Sequence, residues 1–239
     1  DAGLTLTEFA PYGVIGSITP CTNPTETILN NGIGMVAAGN AIVFNTHPNA
    51  KRVSAWFIDA LNGAVEAAGG PSSLFNCVAE PTIESANDLM KHPGIRLIVV
   101  TGGGAVVKAA MTCGKRAIAA GPGNPPVVVD ETADIAKAGR DIVFGASLDN
   151  NIICIVEKEI IAVADIADML KRELASNRAV EIKGSDIKRL EKLIITPDNH
   201  VQRDYIGKNA ALIARDAGIR VPDETRLLFA EVDEKHPFV

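Results

Sequence analysis

Apolar residues recur along this chain in two alternating rhythms. Short runs rich in β-branched residues read as strands: VIGSIT at 14–19, AIVFN at 41–45, LFNCVAE at 74–80, RLIVVT at 96–101 and KRAIAAG at 115–121. Between them lie longer stretches with apolar residues at helical spacing, over 25–39, 50–68, 82–91 and 104–113. Gly39-Asn40 stops the first helix, Pro48 precedes the second, and Gly69-Gly70 closes it. Strand–helix alternation at this spacing predicts an α/β protein with a doubly wound parallel sheet, its right-handed crossovers covering both faces. Glycine and proline peak in AAGPGNPP at 119–126, which reads as a crossing between two lobes, 1–121 and 122–239. Beyond it, strands at 127–130, 159–164 and 226–232 and helices at 134–147, 165–176, 185–194 and 209–218 continue the α/β style. There is no internal repeat and no low-complexity tract.

Composition narrows the picture. The 239 residues are 47% hydrophobic but only 4% aromatic, so the core must be built from Ala, Val, Ile and Leu, as suits buried parallel strands. A net charge of −6 argues against a nucleic-acid partner, while leaving room for a small anionic ligand held by local positive groups. Cys21, Cys77, Cys113 and Cys154 form no CxxC pair, which fits free thiols in a reducing cytoplasm. The four histidines are isolated, so no metal-ligand spacing is present. No apolar run nears the roughly 18 residues of a membrane span, and no signal peptide is seen. The chain opens at Asp1 and closes on EKHPFV, and reads as a piece of a longer protein.

In a parallel sheet, ligands sit beyond the carboxyl ends of the strands. Three loops there run into helix N-termini, where free N–H groups and the helix dipole favour an anion: TPCTNPTE (19–26), NTHPNAKR (45–52) and TGGG (101–104). The glycines let backbone approach a phosphate closely, or simply make a tight turn. His47, Lys51 and Arg52 suit a polyphosphate, or a solvated helix start. Asn23 reads either as an amide donor beside a reacting carbonyl or as a helix N-cap. Cys154, in LDNNIICIVEKE (148–159), is either a nucleophile or, as cysteines among apolar neighbours usually are, a core residue. Glu157 is a base or a solvated helix residue.

TPCTNP, GNAIVFNTHPNAKR, VTGGG, AAGPGNPPVVVD and DNNIICIVEKE occur in that order over essentially the whole chain. The series resembles the aldehyde dehydrogenase superfamily. In detail it is similar to the CoA-acylating branch, the propionaldehyde and acetaldehyde dehydrogenases of bacterial microcompartments. The resemblance implies a parallel Rossmann-type nucleotide-binding lobe followed by an α/β catalytic lobe. Hydrolysing members carry a water-activating glutamate at the lobe crossing, and the matching AAGPGNP has no acid. The loop after the second strand usually holds a ribose-contacting lysine, and here it holds Asn45 and a His-Pro pair typical of acylating enzymes. Without a base to activate water, a thioester can wait for a thiol.

The resemblance makes Cys154 the nucleophile, with NAD as cofactor and coenzyme A as second substrate. The Asn23 amide and the Cys154 backbone N–H would hold the oxyanion, and a helix beginning at the cysteine would favour its thiolate. Thr19, Pro20, Asn45, His47, Lys51, Thr101, Gly102 and Gly103 are the implied cofactor-binding residues, and no metal is implied. Asn150 and Asn151 would shape the nucleophile loop, and Cys21, Cys77 and Cys113 would be structural thiols. A short-chain aldehyde, a homo-oligomer in the full-length protein, and a cytoplasmic setting among microcompartment shell or encapsulated enzymes complete the expectation, with no nucleic acid and no membrane. Two rivals stay open. AGPGN is also similar to an element of the zinc-using histidinol dehydrogenases, and a nucleotide-binding fragment without turnover would carry the same loops.

Overall fold

The computed structural model describes residues 3–239, so Asp1, and with it the chain's opening, lies outside the described residues. The chain divides into two compact units, one ending at Pro122 and one running from Gly123 to Val239.

The first unit is built on five parallel strands, β1 (Val14–Ile18), β2 (Ala41–Asn45), β3 (Phe75–Cys77), β4 (Ile95–Thr101) and β5 (Arg116–Ala120), in the order β3-β2-β1-β4-β5. Helices α1 (Pro24–Ala37), α2 (Lys51–Ala67), α3 (Ile83–Lys91) and α4 (Gly104–Met111) make the crossovers. This is the doubly wound order the alternation predicted. Successive strands are added to one side of β1 as far as β3 and to its other side from β4 onward, so the crevice beyond the carboxyl ends of β1 and β4 is the topological switch point. Ile28, Ile42, Phe44, Ile58 and Phe75 form one buried cluster, and Ile18, Leu89, Met90, Ile98 and Val100 belong to another. The second cluster is aliphatic apart from Met90, as a sequence poor in aromatics led one to expect, but the first is centred on two buried phenylalanines, Phe44 and Phe75.

Several boundaries move for local reasons. The third strand keeps only Phe75–Cys77 of the predicted 74–80, because it pairs β2 over three residues and Pro81, lacking an N–H, follows close behind. A short 3₁₀ turn, Pro48–Ala50, precedes α2 and delays its start. Helix α4 ends at Met111, where the Thr112 hydroxyl donates back to the Lys108 carbonyl at 2.8 Å and Gly114 turns left-handed at φ 82°.

The second unit holds two separate parallel pairs, β6 (Pro126–Val129) with β7 (Glu159–Ala162), and β8 (Ala179–Glu181) with β9 (Leu227–Phe229). Helices α5 (Ile135–Ala146), α6 (Ala164–Ser176), α7 (Ser185–Ile194) and α8 (Ala210–Asp216) pack around them. The strand β8 was not predicted; three residues following a left-handed Arg178 give too short a period to read. Val129, Ile142, Val143, Leu170 and Leu174 are among its buried core. Helices α5 and α6 touch backbone to side chain at Gly139, where an added Cβ would lie 2.5 Å from the Glu173 Cβ.

Candidate active site

The segment carrying Cys154 is not a helix start. Leu148–Asn151 is a kinked 3₁₀ stretch in which Asp149, Asn150 and Asn151 take φ of 48°, 51° and 63°. Three successive left-handed residues without a glycine cost roughly 1 kcal/mol each. Cys154 follows in a turn before β7, so no helix dipole serves it, contrary to the expectation above. The reason is a tertiary anchor: the Pro125 carbonyl accepts the N–H groups of Lys158 and Glu159 at 3.0 and 3.5 Å, which draws the chain straight into β7. Glu157 likewise sits on no helix. Its carboxylate lies over Gly145 of α5, 2.3 Å from where a Cβ would be.

Cys154 is half-buried and belongs to none of the core clusters, while Val156 beside it is buried and Ile155 is exposed. Its backbone carbonyl lies directly on Gly123, where an added Cβ would meet that oxygen at 2.4 Å. Gly123 and Cys154 therefore touch, and only glycine at 123 allows it. The Cys154 N–H meets no acceptor among the described residues.

Hydrogen bonds hold the strained turn. Asn150 Nδ2 donates to the Gly207 carbonyl at 3.0 Å and to Asn209 Oδ1 at 2.9 Å. Asn151 Nδ2 donates to the Ala146 carbonyl at 2.8 Å and the Glu157 carbonyl at 3.0 Å, tying the end of α5 to the far side of the turn. These are the loop-shaping roles expected of the two asparagines. Lys158 was missed by the sequence reading. Its ammonium donates to Asn151 Oδ1 at 2.7 Å and to the carbonyls of Asn151 and Ile153, both at 3.2 Å. Burial pushes this lysine below its usual range, and the charge of Cys154 pulls it partly back. In the sequence, VEKE reads as a solvated charge run, and nothing local marks Lys158 as buried.

In the first unit the predicted loops gather along one edge of the sheet. Thr19 follows the last residue of β1 and Thr101 ends the neighbouring β4, with Ile18 level with Val100. Thr19 is buried, its N–H donates to the Asn45 carbonyl at 3.3 Å, and its Oγ1 finds no partner. Pro20, half-buried, follows it into the loop. Gly102 donates its N–H to the Ala120 carbonyl at 3.1 Å, and Gly103 is the N-cap of α4. A Cβ at Gly103 or Gly104 would meet nothing within 4 Å, and neither N–H donates to an acceptor among the described residues.

Asn23 occupies the N-cap position of α1, but its side chain caps nothing. Its Oδ1 accepts the Thr22 hydroxyl at 3.1 Å, and its carbonyl takes the Thr27 N–H and hydroxyl at 3.1 and 2.8 Å. The amide Nδ2 has no acceptor among the described residues, which leaves the donor that a developing oxyanion would need. Asn45 is buried, and its Oδ1 accepts Ser85 Oγ at 2.6 Å. His47 caps the turn at 48–50, its Nδ1 accepting the Asn49 N–H at 3.1 Å. Lys51 pairs with Glu80 at 2.5 Å across an exposed surface, so part of the local positive charge is already offset.

The remaining cysteines separate. Cys77 lies in β3, its thiol pushed up by burial and further by Asp59, and Cys113 packs against a core cluster. Cys21 is exposed, so it is not the structural thiol expected of it; the TPCTNP turn leaves its side chain in solvent. Among the described residues no helix is long and apolar enough to cross a membrane.

Comparison with known proteins bears directly on these loops. The profile of the aldehyde dehydrogenase family matches residues 1–202. The acetaldehyde dehydrogenase (acetylating) EutE of Escherichia coli (strain K12) is 51% identical over 244 residues, covering 100% of this chain and 52% of that protein. The crystal structure of Rhodopseudomonas palustris propionaldehyde dehydrogenase with bound CoA and an acylated cysteine superposes with a TM-score of 0.87 at 49% identity, over 96% of this chain and 53% of that one. A propionaldehyde dehydrogenase from the Clostridium phytofermentans fucose utilisation bacterial microcompartment gives 0.88 at 45% identity, over 97% and 53%. The chain spans about half the length of the curated relatives it matches.

Proposed function

This chain belongs to the aldehyde dehydrogenase family, and we propose that it serves a CoA-acylating reaction in which a short-chain aldehyde, acetaldehyde or propionaldehyde, becomes an acyl-CoA. One observation carries the acylating reading over the hydrolysing one. The stretch AAGPGNPP, where a water-activating acid is expected in hydrolysing members, contains no acid, and its Gly123 lies flat on the Cys154 carbonyl. The Glu157 carboxylate is turned onto α5 instead. A thioester on Cys154 would therefore find no water-activating acid within that stretch, and in this reading persists until a thiol attacks it.

In this reading the Cys154 thiolate adds to the aldehyde carbonyl and forms a thiohemiacetal. The family resemblance would give the oxyanion to the Asn23 amide and the Cys154 N–H, each of which has no acceptor among the described residues. NAD+, when bound, supplies the hydride acceptor that leaves the acyl group as a thioester. The thiolate of coenzyme A then displaces Cys154, which regains its starting form. Thr19, Pro20, Thr101, Gly102 and Gly103 are the residues that would cradle the dinucleotide, and the open backbone at Gly103 fits a pyrophosphate. His47, Lys51 and Asn45 are secondary members of that set. The two lobes would then be a nucleotide-binding unit and a cysteine-bearing unit. A setting inside a microcompartment is supported by the Clostridium phytofermentans relative; the cytoplasm, a homo-oligomer and shell or encapsulated partners belong to the same proposal.

The test is acyl-CoA formation from propionaldehyde, NAD+ and CoA, in the longest natural polypeptide that carries this sequence. Cys154→Ala should lower the rate by at least about 10³-fold, since it removes the nucleophile itself, and Cys21→Ala should leave it near normal. Activity that survives Cys154→Ala overturns the mechanism. A polypeptide that binds NAD+ but never turns over is a nucleotide-binding protein instead.

A further inference from the structure

The geometry points to Lys158 as a positioning residue that orients and polarises the Ile153–Cys154 peptide, so that the Cys154 N–H faces a developing oxyanion. The inference rests on the reading of Cys154 as nucleophile. Its physical basis is the shape of the peptide group. The Ile153 carbonyl and the Cys154 N–H belong to one planar trans unit, and they point in opposite directions. Lys158 Nζ donates to that carbonyl at 3.2 Å. Fixing the oxygen on one side therefore fixes the N–H on the other. A cation on the carbonyl also draws charge through the amide, which makes the N–H a stronger donor.

The same ammonium spends its other two protons on the turn just before the peptide. It binds Asn151 Oδ1 at 2.7 Å and the Asn151 carbonyl at 3.2 Å. All three donors of a lysine are thus placed on acceptors within three residues of Cys154. The acceptors converge because Asp149, Asn150 and Asn151 are left-handed in succession, which is conformation that residues without glycine's freedom keep only when their surroundings hold it. Lys158 itself is set by its backbone, whose N–H donates to the Pro125 carbonyl at 3.0 Å. Cys154 and Lys158 also lie within electrostatic reach of each other.

An oxyanion forms in aldehyde oxidation but not when a thiolate displaces iodide from iodoacetamide. That difference separates aiming of the N–H from mere upkeep of the loop. Lys158→Met should lower kcat for propionaldehyde oxidation about 10- to 100-fold, somewhat less than outright loss of an oxyanion donor. The KM for NAD+ should stay within about twofold, and alkylation of Cys154 by iodoacetamide, compared at the high-pH plateau where the thiol is fully ionised, within about threefold, because neither passes through the oxyanion. Lys158→Arg, which keeps charge and donors, should recover most of kcat. If Lys158→Met does not fold, Lys158→Gln, which keeps a single neutral donor group, takes its place. The inference is overturned if kcat is unchanged, if kcat and alkylation fall by the same factor, or if arginine rescues no better than methionine. Loss of activity in Cys154→Ala with normal kcat in Lys158→Met sinks this inference alone. Activity surviving in Cys154→Ala sinks the reading beneath it.

Discussion

At the scale of single residues, the candidate site is a matter of which atoms are left uncommitted. Asn23 stands where an asparagine would cap a helix, yet Thr27 satisfies its carbonyl and its amide nitrogen stays free. Cys154 stands among isoleucines, yet lies outside the core clusters. Gly123 is the residue on which the arrangement turns, because it admits the Cys154 carbonyl where any side chain would collide at 2.4 Å. The colliding atom is backbone, so the turn itself must shift. Gly123→Ala is expected to destabilise by about 1–3 kcal/mol in thermal melts, and to lower kcat while leaving the NAD+ affinity untouched. A normal kcat in that variant would mean that the contact has no part in presenting the cysteine. Cys154 as candidate was legible at this scale, because a resemblance needs only residue types in order. Gly123's contact and Lys158's burial were not, because each depends on a partner distant in the chain or on the fold of the turn.

At the scale of elements, the helices were read within a few residues, since helical periodicity and caps are local signals. The errors fall where tertiary contacts cut a segment short, as at β3, or pull it into another conformation, as after Asn151. Glycines show the same division. In α5, Gly139 lets α6 approach so closely that an added Cβ would lie 2.5 Å from Glu173 Cβ and 3.0 Å from its backbone carbon. In α2, Gly63 is exposed and an added Cβ would meet nothing within 4 Å. The two look alike in sequence, each a glycine inside a helical stretch. Gly139→Ala should lower stability by about 1–3 kcal/mol through overpacking. Gly63→Ala should raise it by roughly 0.5–1 kcal/mol through helix propensity and a less flexible unfolded chain. Chemical denaturation of the pair checks both signs.

At the scale of the whole molecule, the proposed chemistry is divided between two units, with the glycine loop in one and the cysteine turn in the other. Single changes should therefore dissociate binding from reactivity. Gly103→Ala introduces a methyl that touches no protein atom within 4 Å, at a φ of −68° that alanine accepts. Its effect on stability should stay within about 1 kcal/mol, the range of an N-cap change. A weaker NAD+ affinity would then report a clash with ligand and not with protein. The expected result by calorimetry is at least about a tenfold loss of NAD+ affinity, or roughly 1.4 kcal/mol, with iodoacetamide alkylation of Cys154 unchanged. Unchanged affinity would remove the glycine loop from the dinucleotide site. The net charge of −6 sharpens the point, since an acidic chain has no general attraction for an anionic cofactor and must rely on local donors such as these.

By itself, the sequence determined the strand and helix alternation, the parallel sheet of the first unit, the loops that end its strands, and the family to which the ordered motifs belong. The elements and loops follow from periodicity and residue type, which act between neighbours in the chain, and the family from the resemblance of the ordered motifs to known members. Only the tertiary structure decided that Cys154 lies in a left-handed turn instead of at a helix start, that Gly123 is its floor, and that Lys158 is drawn inward to its peptide. The reason is reach. The Pro125 carbonyl that straightens the chain after Cys154 is more than two dozen residues away from it, and the cost of a strained turn or a buried ammonium is met only by partners that folding brings together.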